Sequence, residues 1–364
     1  MKKLLFALLI TGTGAFAATN DVELQQAAEI IGLLRTHYVD GQQLDPQQLT
    51  DASITGLLKL LGDGAELLTA EQAKKKNTAP IPAVTTPGPL LARAEIIDPD
   101  IGYLRLAEVE TATVAALDAE LSKFTASRVT GFILDLRFAT GTNYSVAAAI
   151  AGRFLRDNSE VFAIQRAGAP KEPFRAGSPV PTNSPLASAP LMLLINQETR
   201  DAAEAIAGAL RAQDRGIAIG FPTAGDALTW KDLPLSDGRV LRVATAKIAI
   251  SKGNLFPNGL TPDIPVRMDR KIEEDLVLHF ATNITLTASL TDEQTHKMMT
   301  EADLVKYHRG ESFNLPNRSA STNENILTDI SNNNGGKKTS VARDVVLQRA
   351  VDILKGIRVL LPPQ

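Results

Sequence analysis

The sequence has no cysteine, which excludes disulfide bonds, thiolate metal sites and a lipid anchor attached to a cysteine. Its four histidines, at positions 37, 279, 296 and 308, lack the spacing of metal ligands, so we expect no metal or other cofactor. Basic residues are not in excess, because 38 Lys and Arg stand against 41 Asp and Glu. A net charge of -3 does not give the basic surface of a nucleic-acid-binding protein, and we expect no nucleic-acid partner.

Long hydrophobic runs are also missing. The apolar stretch from Leu4 to Ile10 is too short to span a bilayer, and no later segment is long enough, so we expect no stable membrane insertion. Two lysines precede this stretch, and the small residues Ala15 and Ala17 follow it. This order predicts a secretory signal peptide cleaved after Ala17, and therefore a periplasmic or otherwise exported protein.

Composition and local patterns divide the rest of the chain. Asp45 and Pro46 are typical of a helix start, and prolines at 80, 82, 87 and 89 indicate a linker. The C-terminal segment has helical spacing of its apolar residues; it either docks on its own core or mediates formation of a homodimer. The predicted units are a signal peptide (1–17), an N-terminal helical region (18–73), a proline-rich linker (74–95), an α/β core (96–270), a helical extension (271–308), a polar linker (309–343) and a C-terminal helix (344–364).

Strands and helices alternate within the core. Apolar runs at 101–106 and 131–137 predict buried strands, and residues 111–124 between them have helical spacing. The stretch 190–210 predicts a buried strand, a tight turn at Asn196 and a helix from Asp201. Such alternation favours an α/β layer structure with partly parallel strands, whose ligands collect at the carboxyl ends of the strands. We therefore expect the functional site near Asp201.

The same stretch resembles the carboxy-terminal processing (tail-specific) serine proteases, which carry an N-x-G-S-A-S-A-S-E run and then a T-F-G-K-G turn. The resemblance extends from about residue 22 to 268, without the PDZ domain that the family usually inserts at the proline-rich linker. It implies a crotonase/ClpP-like layered core flanked by N-terminal and C-terminal α-helical regions. The matching positions are Asn196, Glu204, Gly208, Ala209 and Leu210, the turn 223–226, the phrase 131–137 and the phrase 259–264.

Both halves of the family's catalytic dyad are replaced. Asp201 occupies the position of the nucleophilic serine, and Asp226 occupies the position of the lysine base. A carboxylate is a weak nucleophile toward an amide, and its charge opposes the developing oxyanion. Asp201 also fits a capping box with Glu204 at the third helical position, which is the structural alternative. A shared-proton acid pair or a cation site formed by the two aspartates is a further alternative.

Three other positions are candidates for binding. The resemblance implies that Gly141 and Ala202 lie where family members place the backbone N–H groups of the oxyanion hole, although a plain glycine turn is the alternative at Gly141. Trp230 occupies the position of a glutamine that supports the lysine. It either fills the space that the lysine vacates, lines a peptide groove, or is an ordinary core tryptophan.

The combined expectation is an exported, catalytically inactive protein with the tail-specific protease fold. It would bind peptide or unfolded protein segments, or act as a scaffold for an active protease relative. The alternative is an active periplasmic peptidase that cleaves protein C-terminal segments with non-standard catalytic residues. A purely structural protein that binds no peptide is the third alternative.

Overall fold

The structure is a computed structural model that describes residues 29–33, 36–37, 45–78, 91–177, 188–279 and 343–360. The predicted signal peptide and nearly all of the predicted polar linker lie outside these residues. The helices are α1 (Pro46–Leu61), α2 (Ala70–Thr78), α3 (Thr111–Ala126), α4 (Tyr144–Gly152), α5 (Asp201–Ala212), α6 (Arg270–Glu274) and α7 (Val345–Leu360). The strands are β1 (Ala65–Leu68), β2 (Leu91–Ile97), β3 (Ile101–Leu106), β4 (Gly131–Asp135), β5 (Glu160–Arg166), β6 (Glu172–Arg175), β7 (Leu191–Ile195), β8 (Ile217–Gly220), β9 (Leu228–Pro234), β10 (Val240–Ile250), β11 (Gly253–Asn254) and β12 (Ile264–Pro265).

The main sheet has the strand order β12-β8-β7-β4-β3-β2. All neighbouring pairs from β3 to β12 are parallel, and β2 is an antiparallel edge strand. Successive parallel strands are added in one direction across the sheet. Because such crossovers are right-handed, the connecting helices α3, α4 and α5 all lie on one face. The carboxyl ends of β4, β7 and β8 consequently meet at one edge.

A second sheet packs against two of those helices, α4 and α5. Its path is β1-β10-β5-β6, and β9 and β11 also pair with β10. Helices α4 and α5 contact strands of this sheet. One apolar cluster therefore extends from Phe132 of the main sheet through Ile206 of α5 to Phe162 of the second sheet, and all three side chains are fully buried. This cluster is the larger core of the protein.

Helix α7 covers the opposite face of the main sheet. Leu347 and Val351 of α7 pack with Ile133 and Leu194 in a second buried cluster. Leu354 lies against Gly131, where an added Cβ would come within 3.0 Å of the leucine side chain. Of the two alternatives for the C-terminal helix, the structure therefore contains the one in which it docks on its own core.

The predicted α/β core, flanked by N-terminal and C-terminal helical regions, is confirmed. Helix α1 begins at Pro46 as expected. Thr69 and Gln72 form a capping box before α2, in which they exchange hydrogen bonds of 2.9 and 3.1 Å. Helix α2 continues to Thr78, into the stretch assigned to the linker, because the first helix-breaking proline comes only at Pro80. No helix in the described part of the chain has the length and apolar character needed to cross a membrane.

Candidate functional site

The candidate site lies where three turns meet at the carboxyl edge of the main sheet. The turns follow β4, β7 and β8, and the first two lead into the N-termini of α4 and α5. Asn143 caps α4 by accepting a 3.2 Å hydrogen bond from the backbone N–H of Val146. Adjacent parallel strands of similar length end side by side, so residues distant in sequence are brought together here.

Short hydrogen bonds join the three turns into one unit. The Thr199 hydroxyl donates to the Leu136 carbonyl at 2.9 Å, which ties the second turn to the first. The Arg200 N–H donates to the Ala139 carbonyl at 3.0 Å. The Ala224 N–H donates to the Thr199 carbonyl at 3.2 Å, which ties the third turn to the second. The geometry of the site therefore depends on all three turns.

Asp201 and Asp226 lie next to each other in this unit. The backbone N–H of Asp201 donates to Oδ1 of Asp226 at 3.1 Å. The other oxygen of Asp226 accepts a 2.7 Å ion-paired hydrogen bond from Arg200. Oδ2 of Asp201 accepts a 3.3 Å hydrogen bond from the Thr140 hydroxyl. The two predicted positions are thus brought together, and Arg200 and Thr140 are partners that the sequence reasoning did not identify.

Asp201 is in an unfavourable state in two respects. Its φ is +49°, in the left-handed region that residues with a side chain rarely adopt. Burial, with a further contribution from the charge of Asp226, raises the pKa of Asp201 to about 7. The hydrogen bond from Thr140 and the charges of Arg200 and Arg242 oppose this rise. The Asp201 carboxyl group consequently titrates near neutral pH.

The predicted capping box at Asp201 and Glu204 is wrong. Asp201 is the first residue of α5, and the N-cap is Arg200, whose side chain makes no capping hydrogen bond. The Glu204 carboxylate is fully buried and accepts hydrogen bonds from the turn after β8 instead. Its donors are the Thr223 hydroxyl and the backbone N–H groups of Gly225 (2.7 Å), Asp226 (3.0 Å) and Ala227 (3.0 Å).

The position of Glu204 explains why the box does not form. A fully buried carboxylate must be satisfied by hydrogen bonds, and the neighbouring turn offers three backbone donors. Burial still raises the pKa of Glu204 to about 7, although the hydrogen bonds from Thr223 and the backbone stabilise the ionised form. Glu204 therefore anchors the turn that carries Asp226.

The backbone donors expected at Gly141 and Ala202 do not form a shared cradle. The Ala202 N–H donates to the Gly141 carbonyl at 2.8 Å, so this donor is engaged within the protein. Gly141 has a φ of +146°, and an added Cβ would lie 2.8 Å from the Cβ of Val109. Glycine is therefore required at this turn for its conformation and for space.

Trp230 is half-buried on β9 and belongs to neither apolar cluster, so the core-tryptophan alternative is wrong. The guanidinium of Arg242 lies 5.5 Å from the centroid of its ring, in cation–π geometry. Arg242 also helps to lower the pKa of Asp201, which indicates that this pair lies on the same side of the molecule as the aspartates. Trp230 and Arg242 lie on the neighbouring strands β9 and β10. No sequence pattern predicts their contact.

Two further features complete the surroundings. The Tyr144 hydroxyl donates to the Leu228 carbonyl at 2.9 Å, and burial, together with the nearby carboxylates, raises the pKa of Tyr144 well above its usual value. A cavity of about 130 Å³ lies beside the turn after β7. Its walls include the side chains of Phe138, Phe221, Val266, Met268 and Arg270. Within the described residues, no group of three or more His, Asp or Glu side chains could hold a metal ion.

Comparisons with known proteins give consistent results. Residues 100–266 match the model of peptidase family S41. The chain is 32% identical over 176 residues to a carboxyl-terminal-processing protease of Picosynechococcus sp., a match that covers 46% of this chain and 40% of that protein. It is 30% identical over 165 residues to the chloroplastic C-terminal processing peptidase of Tetradesmus obliquus, covering 45% of this chain and 34% of that one. This chain thus matches well under two thirds of the length of either relative.

Among solved structures, the chain is similar to a photosystem II D1 C-terminal processing protease, with 26% identity and a TM-score of 0.40. The similarity covers 56% of this chain and 47% of that one.

Proposed function

We propose that this chain, whose residues 100–266 match the model of peptidase family S41, is an exported, catalytically inactive relative of that family that binds peptide or unfolded protein segments. The observation that carries this proposal is the pairing of Asp201 with Asp226 at the meeting point of the three turns. In the tail-specific proteases that the sequence resembles, these positions hold the serine nucleophile and its lysine base. Two carboxyl groups supply neither an activated hydroxyl nor an amine.

The surrounding groups also argue against acyl transfer. An oxyanion needs donors that point to an open position, and the Ala202 N–H is already bonded to the Gly141 carbonyl. The carboxyl group of Asp226, ion-paired to Arg200 at 2.7 Å, lies where the resemblance places the amine base. Negative charge at this place would destabilise a tetrahedral oxyanion. Loss of the dyad is therefore accompanied by loss of the electrostatics that the reaction requires.

Features that support peptide binding remain near the aspartates. Trp230 is half-buried, so part of its ring is available for contact, and Arg242 fixes the orientation of that ring. The small cavity beside the turn after β7 has phenylalanine, valine and methionine in its walls. We propose peptide or unfolded protein segments as ligands, with an active protease relative or a second copy of the chain as additional partners. The signal-like sequence before Ala17 supports export to the periplasm or beyond.

A second candidate function is peptide cleavage by unusual residues. It is favoured by the pKa of about 7 at Asp201, because a group that titrates near the working pH can exchange protons with water or substrate. The positive φ of Asp201 also favours it, since strained residues are frequent in active sites. In this alternative, Asp201 would activate a water molecule beside Asp226.

The decisive experiment incubates the protein lacking residues 1–17 with fluorescently labelled, unfolded casein and, separately, with a serine-reactive fluorophosphonate. We expect neither cleavage nor labelling. The matched variants are Asp201→Ala and Asp63→Ala, the latter at an exposed aspartate in the short 3₁₀ helix that follows α1. Cleavage that persists in the Asp63 variant and disappears in the Asp201 variant would overturn the inactive proposal in favour of the peptidase.

Binding is tested by titrating peptides from a random library while recording the fluorescence of Trp230, the single tryptophan of the chain. In the wild type, we expect saturable changes in tryptophan fluorescence. Trp230→Phe has no tryptophan, so its binding is followed by the polarisation of labelled peptide, and we expect that binding to be lost. Absence of binding across the library would overturn the peptide-binding proposal and leave a structural role.

A further inference from the structure

A buried ion-pair network lies under the C-terminal helix, on the face of the main sheet opposite α5. Its centre is Arg137, which follows β4 and whose side chain is only 1% exposed. The Arg137 guanidinium donates to both oxygens of Asp135, with its shortest contact at 2.6 Å between Nη2 and Oδ2. Tyr103 donates to the same carboxylate at 2.8 Å. Arg137 is thus fixed to the end of strand β4.

The network continues into helix α7. Asp344, directly before the helix, accepts from Nη1 and Nη2 of Arg137 at 3.1 and 2.8 Å. Its Oδ1 also accepts from the backbone N–H of Leu347 at 2.9 Å, so the same carboxylate caps α7. Bidentate arginine–carboxylate pairs are geometrically specific. The start of α7 and the end of β4 are therefore held in one defined arrangement.

The other arm of the network reaches the candidate site. Nη1 of Arg137 lies 3.6 Å from Oε1 of Glu273, and Oε2 of Glu273 accepts from the side-chain amide of Asn196 at 3.2 Å. The Asn196 carbonyl oxygen Oδ1 accepts from the backbone N–H groups of Phe138 and Glu198, each at 3.1 Å. These two N–H groups belong to the turns that carry Gly141 and Asp201. Both turns are consequently connected to α7 through buried polar contacts.

We propose that Arg137 and Asp344 are positioning residues, through which docking of helix α7 fixes the turns of the candidate site. The consequence for peptide binding rests on the proposed function, whereas the consequence for the turns does not. Without Asp344, the buried guanidinium would lose one of its carboxylate partners. Glu273 would then move toward Arg137 to compensate the charge, and it would release the Asn196 amide that orients both turns.

The opposite end of α7 provides a matched control. Lys355 pairs with Asp98, and Arg358 pairs with Asp100, at the turn that precedes β3. This turn lies at the amino ends of the parallel strands, because α7 runs antiparallel to them and begins at their carboxyl ends. Lys355→Gln/Arg358→Gln therefore removes two ion pairs of α7 without touching the network at Arg137.

The test measures hydrogen exchange of backbone amides in the full chain. In Asp344→Asn, which keeps the shape of the side chain, we expect the amides of Phe138 and Glu198 to exchange about tenfold faster than in the wild type. We expect no change at these amides in the Lys355/Arg358 variant. If Asp344→Asn fails to fold, Leu354→Ala weakens the docking of α7 through its apolar contact, and the same two amides are expected to exchange faster.

Faster exchange within α7 combined with unchanged exchange at Phe138 and Glu198 would overturn the proposal, because the helix would then undock without effect on the turns. Peptide affinity is measured in parallel. Where the wild type binds peptide, we expect Asp344→Asn to weaken binding about tenfold. Where the wild type binds none, the proposed function fails, but the exchange rates still decide whether α7 positions the turns.

Discussion

The stability of Asp201→Asn relative to the wild type should increase as the pH rises from acidic to alkaline. The pKa of Asp201 is about 7 in the folded protein, whereas an aspartate in an unfolded chain has a pKa of about 3.9. Between these two values the folded state binds a proton that the unfolded state has released. Stability of the wild type therefore falls as the pH rises through this interval, and the full loss is present above pH 7.

The magnitude follows from the size of the shift. A difference of about three pKa units at about 1.36 kcal/mol per unit gives a loss of about 4 kcal/mol at pH 8. About 1.5 kcal/mol of this loss is already present at pH 5, since that pH lies about one unit above the unfolded value. Asparagine cannot ionise, and its side-chain oxygen can still accept the hydrogen bond from Thr140. The stability of Asp201→Asn minus that of the wild type should increase by about 2.5 kcal/mol between pH 5 and pH 8.

Urea denaturation at pH 5, 6, 7 and 8 measures this difference directly. Glu204 titrates in the same interval, but it is present in both proteins and its contribution cancels in the difference. Asp63→Asn, at an exposed position, is the control and should differ from the wild type by the same amount at every pH. A difference for Asp201→Asn that is constant with pH, or that decreases toward pH 8, would refute the reasoning.

Three other substitutions test the remaining parts of the site. Glu204→Gln places an amide NH₂ among backbone donors and should lower the free energy of unfolding by about 2 kcal/mol. It is measured by urea denaturation at pH 5, where Glu204 is still mostly protonated in the folded protein and the ionisation penalty that glutamine relieves is small; unchanged stability would contradict the anchoring role. Gly141→Ala should be destabilising by about 1–3 kcal/mol because of its φ and its lack of space, and an unchanged melting temperature would contradict this. Arg242→Met should remove the cation from the Trp230 ring, which is measured as a change in tryptophan emission. It should also raise the pKa of Asp201, which is measured as a shift of the Asp201 titration midpoint to higher pH.

The order of elements in the core could be predicted from the sequence because its strands are buried on both faces. Such strands appear as apolar runs, as in β7 and in the first four residues of β4, and the helices between them have regular apolar spacing. The neighbouring positions of Asp201 and Asp226 could be predicted only through the resemblance to a known family. No local pattern connects two aspartates that are 25 residues apart.

Local patterns failed where a long-range contact competes with a nearby one. The spacing of Asp201 and Glu204 satisfies the rule for a capping box, but the rule does not include the three backbone donors that the turn after β8 presents to Glu204. The position of α7 was left open for a related reason. Its apolar stripe indicates that it packs on something, while the charge of Asp344 selects the partner through the buried Arg137.

Two energetically unfavourable features coincide at Asp201. Asp201 combines a left-handed backbone, which costs about 1–3 kcal/mol, with a buried carboxyl group beside the carboxylate of Asp226. Most of the hydrogen bonds that join the three turns are made by Thr199, Glu204 and backbone groups. The bond from Thr140 to the Asp201 side chain needs only an acceptor, so none of these bonds requires an acid at position 201. The fold would be more stable with a neutral residue there. Because local conflicts that the fold does not need are expected at functional sites, this cost supports the assignment of the binding site to the three turns around Asp201.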